Sequence, residues 1–95
     1  MRNEAAVKKA IVKALRKAGA WYTMPHQRGY SQAGVPDILA LHNGRFIGIE
    51  VKFNGNKPTI NQEIQMALIE DAGGDSMVLD ETNWTLIHGW LNVAD

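Results

Sequence analysis

The stretch VPDILALHNGRFIGIEVKF, residues 35–53, decides the fold predicted for this chain. It consists of two mainly apolar runs on either side of Asn43-Gly44. An Asn-Gly pair in this position predicts a β-hairpin with a two-residue type I′ turn, because both residues tolerate a positive φ. Both faces of this hairpin would be mainly apolar, which predicts a central pair of strands with helices on both sides of the sheet.

The turn also predicts which side chains meet across the hairpin. If His42 faces Arg45, then Asp37 lies opposite Glu50, and Lys52 projects from the same face because side chains alternate along a strand. Two opposed carboxylates repel each other unless a positive charge neutralises them. A bound cation would supply that charge, and a buried network of salt bridges would do so equally well.

The composition limits the classes of protein and of metal site. With 95 residues, the chain is expected to form a single domain over residues 1–95. It contains no cysteine and three scattered histidines, so any metal ion is expected to bind to oxygen ligands. No apolar run approaches the roughly 18 residues of a membrane span, and no signal sequence is recognisable. We therefore expect a soluble cytoplasmic protein that has no membrane partner.

Charge is distributed unevenly along the chain, although the formal net charge is zero. All ten Lys and Arg residues lie at or before Lys57, and the segment after Lys57 has seven acidic residues and no Lys or Arg. The basic part contains three acidic residues, which are Glu4, Asp37 and Glu50. Isolated carboxylates in a cationic segment are typical of a metal site within a phosphate-binding surface, and simple salt bridges are the equal alternative.

Two helices are predicted from the spacing of apolar residues. The first runs over residues 4–18, carries a basic outer face, and places Glu4 in line with its apolar stripe rather than among the lysines. The second runs over residues 60–72 and ends at Gly73. Its residues predicted to face inward are Ile60, Ile64, Ala67, Leu68 and Ala72.

The remaining segments are predicted to be two strands, a loop and a short final element. Residues 20–26 have the composition of an edge strand, residues 28–34 that of a loop, and residues 76–80 that of a core strand parallel to a hairpin strand. A short amphipathic helix starting near Glu81 is predicted at the end, with a strand over TLIHG as the alternative. Trp90 and Leu91 are candidates for a dimer contact.

Two short motifs of the hairpin match a known pattern. Val35-Pro36-Asp37 followed by Glu50-Val51-Lys52 resembles the PD-(D/E)xK nuclease signature. Together with Glu4, Gly34, and Lys57-Pro58-Thr59 leading to Gln62, the arrangement is similar to that of the VRR-NUC (virus-type replication-repair nuclease) family. The resemblance extends from Glu4 to about Leu79.

The resemblance implies a fold, an activity and a setting. The fold is a PD-(D/E)xK nuclease-like αβββαβ core, an α/β fold with a mixed sheet and helices on both faces. The activity is hydrolysis of phosphodiesters in structured or branched DNA by a homodimer that depends on Mg²⁺ or Mn²⁺, like a Holliday junction resolvase of DNA repair. The setting is the interior of a bacterium or of a phage-infected host.

The resemblance also implies roles for individual residues. Asp37 and Glu50 would be the main metal ligands, the backbone carbonyl of Val51 a further ligand, and Glu4 an outer acidic residue of the metal site. Lys52 would be the catalytic lysine, which orients or deprotonates the attacking water. Gln62 would be a supporting catalytic residue. The residues predicted to bind DNA are Lys8, Lys9, Lys13, Arg28, Tyr30, Ser31 and Lys57.

Other interpretations of the same residues remain open at this point. Thr59 and Gln62 fit a helix capping box, which explains the glutamine without any catalytic role. Independently of Gln62, the chain could be a nucleic-acid-binding or assembly module that keeps the fold without chemistry. A third interpretation is that the charged residues form a buried ion-pair network. Residues 28–34 would contact only water if they form an ordinary exposed loop.

Overall fold

A computed structural model of the chain describes residues 1–25 and 33–94. Four strands form one mixed sheet in the order β1-β2-β3-β4, with the first two pairs antiparallel and the last pair parallel. The elements along the chain are α1 (Glu4–Lys17), β1 (Trp21–Thr23), β2 (Ile38–His42), β3 (Arg45–Val51), α2 (Ile60–Asp71), β4 (Asp75–Leu79) and α3 (Leu86–Leu91). The predicted αβββαβ core and its mixed sheet are confirmed, and α3 follows that core.

The hairpin has the predicted turn and the predicted register. Asn43 and Gly44 both have positive φ, at 50° and 77°, as a type I′ turn requires. His42 pairs with Arg45, and the antiparallel ladder continues without a bulge to Ile38, which pairs with Ile49. Asp37 and Glu50 therefore come directly after the last pair of the ladder.

One face of the sheet carries the hydrophobic core. Alternate residues of β2 and β3 are fully buried there against the apolar stripe of α1 and against α3. Asn3 caps α1 by accepting a hydrogen bond of 2.9 Å from the backbone N–H of Ala6, which fixes where this helix begins. The fully buried side chains of this core are Val7, Ile11, Leu15, Ile38, Ala40, Ile47, Ile49, Val51, Leu79 and Ile87.

The other face of the sheet is covered in part by α2, which packs on β3 and β4. A Cβ atom at Gly48 would lie 2.7 Å from Cδ1 of Ile69, so glycine allows the helix to approach the strand closely. Gly34 makes a second close approach at the beginning of α2. It has φ of +83°, and a Cβ atom there would lie 2.4 Å from the backbone of Asn61. The segment that leads to Asp37 is therefore packed against the first turn of α2.

The predicted inward face of α2 is wrong. All five apolar residues predicted to face inward are exposed, including Ile60 at 75%, Ile64 at 50% and Leu68 at 54%. The helix instead turns Met66 and Gln62 towards the sheet. A long-range contact decides which face of α2 is turned to the sheet. The side chain of Gln62 bonds to Glu50 of β3 and thereby fixes the rotation of the helix about its axis.

Several boundaries near the ends also differ from the prediction. Residues 81–85 form turns, so the final helix begins at Leu86, and the strand alternative is excluded. Trp90 and Leu91 are 6% and 2% exposed because both pack into the core, so the predicted dimer contact at these residues is wrong. The strand β1 comprises three residues, Trp21–Thr23. The strand β4 begins at Asp75, one residue before the predicted start, and it is parallel to a hairpin strand, β3, as predicted.

A polar cluster joins the turn end of the hairpin to β4 and α3. Oδ2 of Asp75 accepts hydrogen bonds from Trp90 Nε1 at 2.8 Å and from Arg45 Nη2 at 2.9 Å. The guanidinium of Arg45 also lies over the Trp90 ring at 5.2 Å. The hydrogen bond from the indole, supported by Arg45, holds the pKa of Asp75 below its usual range.

None of the helices within residues 1–25 and 33–94 has the length and hydrophobicity that crossing a bilayer would require.

Candidate metal and catalytic site

Asp37 and Glu50 lie beside each other where β2 begins and β3 approaches its end. Asp37 lies one residue before β2, and its Oδ2 accepts a hydrogen bond of 2.8 Å from the backbone N–H of Val51. This bond holds the aspartate against the neighbouring strand, beside Glu50. The register predicted from the turn is thus sufficient to bring the two carboxylates together.

Glu50 is a buried acid with an unusual environment. It is 2% exposed, and burial together with the neighbouring charge of Asp37 raises its pKa to about 7. Its Oε2 accepts a hydrogen bond of 2.8 Å from Gln62 Nε2 and lies 3.4 Å from Lys52 Nζ. Its Oε1 is buried and has no hydrogen-bond partner among the described residues. A buried carboxylate oxygen without a partner has a large desolvation cost. This oxygen is therefore suited to bind a cation or another ligand.

Gln62 has both of the contacts that the sequence allowed. Its side-chain oxygen accepts from the backbone N–H of Thr59 at 2.8 Å, and its backbone N–H donates to the Thr59 hydroxyl at 3.2 Å, which completes a capping box. Its side-chain nitrogen is then directed to Glu50. The two interpretations of Gln62 are therefore compatible, because the cap orients the amide that holds the acid.

Two lysines bring positive charge to the two carboxylates. Lys52 follows Glu50 by two residues, and its side chain is 14% exposed, so most of its surface is shielded from water. Lys8, on α1, has its Nζ 3.8 Å from Oδ1 of Asp37. The sequence predicted Lys8 as a DNA-binding residue, and its contact with Asp37 follows from the packing of α1 on the sheet, which the sequence pattern does not show.

The backbone at Val51 offers a further oxygen. In an antiparallel ladder the N–H and C=O of a residue point to the same side, and the N–H of Val51 points to Asp37. Continuing the register by two residues from Ile38 and Ile49 would place Pro36 opposite Val51. Proline has no N–H to donate, so β2 offers no backbone donor to the Val51 carbonyl at this position.

These observations fit a divalent cation that prefers oxygen. Two neighbouring carboxylates, of which Glu50 has a raised pKa, a buried oxygen without a partner and a strand carbonyl to which β2 offers no backbone donor are the groups that Mg²⁺ or Mn²⁺ would use. Within residues 1–25 and 33–94, no three His, Asp or Glu side chains form one metal-binding group, so Glu4 does not join the two acids. Glu4 is half-buried on α1, one turn before Lys8.

The predicted DNA-binding residues that the structure describes lie in three places, the first of which is occupied by Lys8 beside Asp37. Lys9 and Lys13 line a shallow hollow of about 390 Å³ on α1, together with Val12 and Arg16. Arg16 was not predicted as a contact, although its spacing from Lys9 and Lys13 on one helix face was visible in the sequence. Lys57 is exposed in the turn before α2. The predictions for Arg28, Tyr30 and Ser31 lie outside the described residues.

Comparisons with known proteins support the predicted family and fold. No family model matches the chain. The chain is 34% identical over 89 residues to a protein called "Putative nuclease p44" from Acyrthosiphon pisum secondary endosymbiont phage 1, with 90% of each chain covered. Its fold is similar to a solved VRR_NUC domain, with a TM-score of 0.73, 21% identity and 94% of each chain covered.

A second solved structure has a less extensive similarity. It is Hjc, a Holliday junction resolvase from Archaeoglobus fulgidus, with a TM-score of 0.60 and 21% identity. The match covers 80% of this chain and 66% of the resolvase. At this identity the similarity shows a shared fold.

Proposed function

Because the chain belongs to the VRR-NUC nuclease family, we propose that it is a divalent-metal-dependent endonuclease that hydrolyses phosphodiesters of structured or branched DNA. One observation carries the proposal above all. The buried Glu50 has an oxygen without a partner, next to a second carboxylate and 3.4 Å from the lysine of the same strand. Such a group is poorly suited to a purely structural role, since it leaves a polar atom unsatisfied inside the protein.

The proposed metal ligands are Asp37, Glu50 and the carbonyl of Val51, and Glu4, which does not join the two acids, is not among them. The proposed ion is Mg²⁺ or Mn²⁺. When bound, it would lower the pKa of a water molecule and stabilise the charge that develops on the phosphate. Its positive charge would also favour the ionised form of Glu50, whose pKa is otherwise raised to about 7.

The protein side chains have separate tasks in this proposal. Lys52 lies beside Glu50. As an ammonium it would orient the attacking water, and as a neutral amine it would accept the proton of that water. Gln62 positions Glu50 by donating to Oε2, which leaves Oε1 for the ion. Lys8 balances Asp37 and adds positive charge at the side where the phosphate would approach.

The proposed DNA surface is the outer face of α1 beside these residues. The hollow lined by Lys9, Lys13 and Arg16 is suited to phosphate oxygens, since phosphate contacts position a protein on nucleic acid. Lys8 and Lys57, together with Arg28, Tyr30 and Ser31, complete the proposed contacts. A homodimer acting on a junction is the assembly that we propose. The fold shared with the Archaeoglobus Holliday junction resolvase supports the junction as substrate, and a two-fold dimer would combine two basic surfaces.

A cleavage panel tests the proposal. Purified protein is incubated with four-way junctions, flaps, single strands and linear duplexes in Mg²⁺, in Mn²⁺ and in EDTA. We expect cleavage with either metal ion and none in EDTA, with the branched substrates cut fastest. Salt-sensitive binding without cleavage under both ions would support the binding-module alternative instead.

Two variants of the lysine sharpen this test. Lys52→Ala should lower the cleavage rate by about 100-fold or more, because both the charge and the proton acceptor are lost. Lys52→Arg keeps the positive charge near Glu50 but is not deprotonated in proteins. If Lys52 acts by charge alone, the arginine variant should retain most of the activity. If Lys52→Ala cleaves as fast as the native protein, the role assigned to Lys52 is wrong.

A further inference from the structure

An apolar stripe runs along the outer face of α2. Ile60, Ile64 and Leu68 follow one another at a spacing of four, so they lie on one face of the helix. They are 75%, 50% and 54% exposed, and the residues that pack on the sheet lie on the opposite side of the helix. Three large aliphatic side chains in one row on a helix surface are typical of a helix that packs against a partner.

The charges around this stripe exclude DNA and an anionic membrane as its partner. Glu63, Glu70 and Asp71 all lie on α2 and are exposed, and α2 has no Lys or Arg. An acidic helix repels phosphates, so the DNA-binding surface belongs to the basic α1. The occupant of the stripe is therefore a protein surface that tolerates or complements these acids.

We infer that this occupant is α2 of a second copy of the chain, packed antiparallel across a two-fold axis at Ile64. The inference rests on the proposed homodimer and specifies its interface. In this register Ile60 lies against the partner's Leu68, and Ile64 lies against the partner's Ile64. Exchange of the two copies leaves the same contacts, as a two-fold interface requires.

Charge complementarity supports this register. Lys57 is the last Lys or Arg of the sequence and lies just before α2, while Asp71 is the last residue of α2. Both are exposed. The antiparallel packing that pairs Ile60 with the partner's Leu68 also places Lys57 beside the partner's Asp71. A parallel packing would place acidic residues beside acidic residues, which is unfavourable.

An exposed apolar row lies next to the stripe and can extend the contact. Stable interfaces bury about 800 Å² per partner, which is more than three side chains provide. Trp21, Leu41 and Phe46 form a cross-strand row on the part of the sheet that α2 leaves uncovered, and they are 59%, 45% and 36% exposed. Phe46 lines a hollow with Ala72 at the C-terminal end of α2, so the row and the helix adjoin.

Sedimentation of the native protein and two variants tests the surface. The native protein should sediment as a dimer without DNA or metal. Ile64→Glu should weaken the dimer by about 100-fold or more, since it places two carboxylates together at the axis. Leu86→Glu is the matched control, because Leu86 is an aliphatic residue of α3 that is 57% exposed and lies outside the proposed interface. It should leave the dimer unchanged.

Charge exchange tests the register and the identity of the partner. Lys57→Glu and Asp71→Lys should each weaken the dimer by about 5- to 10-fold, because each places like charges together. The double variant restores opposite charges and should return the affinity to within about 3-fold of the native value. Circular dichroism confirms that each variant is folded.

The outcomes separate this inference from the proposed nuclease function. A native protein that sediments as a monomer, a dimer that persists in Ile64→Glu, or a double variant that is no stronger than the singles overturns the inference, whatever the cleavage activity. A dimer that responds as expected in a protein that cleaves no DNA supports the surface and overturns the function.

Discussion

Gln62 donates a hydrogen bond of 2.8 Å to Glu50 while its side-chain oxygen accepts one of 2.8 Å from the backbone of Thr59. The first turn of α2 and the buried acid of β3 are thus linked through one side chain. The helix cap fixes the rotamer of Gln62, and the rotamer fixes which oxygen of Glu50 is engaged. The helix cap alone would account for a glutamine at position 62. Gln62 nevertheless also positions Glu50, a residue of the proposed active site.

Variants of the cap separate these two tasks of Gln62. Thr59→Ala removes the hydroxyl that accepts from the Gln62 backbone and should cost about 1 kcal/mol of stability, with a small effect on cleavage. Gln62→Ala should cost a similar amount of stability and also lower kcat by roughly 10- to 100-fold, because Glu50 loses its donor. Melting temperatures and kcat measured in parallel check this. Equal activities of the two variants would show that Gln62 acts only as a cap.

The raised pKa of Glu50 predicts how stability depends on pH in EDTA. A folded-state pKa of about 7 lies above the ordinary value of 4.5, so the folded protein binds the proton more tightly than the unfolded chain. The stability that this proton provides is fully present below about pH 4.5 and is lost as the pH rises through about 7. The loss should amount to at most about 3 kcal/mol.

Urea denaturation at several pH values measures this effect, with Glu50→Gln as the control. Glutamine cannot ionise, so the decrease in the free energy of unfolding between pH 4.5 and 7 should be largely absent in the variant. A native protein with the same pH profile as Glu50→Gln would contradict the assignment of the raised pKa to this residue.

Metal binding should stabilise the native protein through Asp37 and Glu50. Mg²⁺ or Mn²⁺ should raise the melting temperature of the native protein and have little effect on Asp37→Asn, because a ligand that binds only the folded state stabilises it. In EDTA, Asp37→Asn should be at least as stable as the native protein, since it removes the repulsion that raises the pKa of Glu50. A variant that is less stable with and without metal would instead indicate a structural ion-pair network.

The close approach of Gly34 to α2 predicts a large loss of stability in Gly34→Ala. A Cβ atom there would lie 2.4 Å from backbone atoms of Asn61, and φ is +83°, so both steric overlap and backbone strain arise. Gly44→Ala is the matched control, because Gly44 has φ of +77° with open space around it. We expect a loss of about 1 kcal/mol at Gly44 and of 3 kcal/mol or more at Gly34. Thermal denaturation of the two variants measures the difference, and equal losses would contradict the close approach.

The parts of the structure that depend on local signals were predictable from the sequence. The turn at Asn43-Gly44 fixes the register of the hairpin, and that register brings Asp37 beside Glu50. The rotation of α2 was not predictable, because Ile60, Ile64 and Leu68 form as regular a stripe as the residues that face the sheet. Long-range contacts decide between the two stripes, namely the bond from Gln62 to Glu50 and the approach of the helix to Gly48.

Long-range contacts also explain why the dimer contact predicted at Trp90 and Leu91 was wrong. Trp90 looks like a candidate for a surface contact in a short terminal segment, but its indole bonds to Asp75 at the beginning of β4, fifteen residues earlier. No local pattern encodes such a contact. The position of Lys8 beside Asp37 likewise depends on how α1 packs across the sheet.

The two acids of the site differ in how firmly the backbone holds them. Glu50 lies on β3, which pairs with β2 on one side and with β4 on the other, whereas Asp37 lies on a bend before β2 begins. Amides of a central strand exchange with solvent mainly through global unfolding, and those at a strand end exchange through local opening. Hydrogen exchange should therefore be slowest around Glu50 and faster around Asp37. In the proposed metal site, Glu50 would then keep its position, and Asp37 would be the ligand that moves when an ion binds or dissociates.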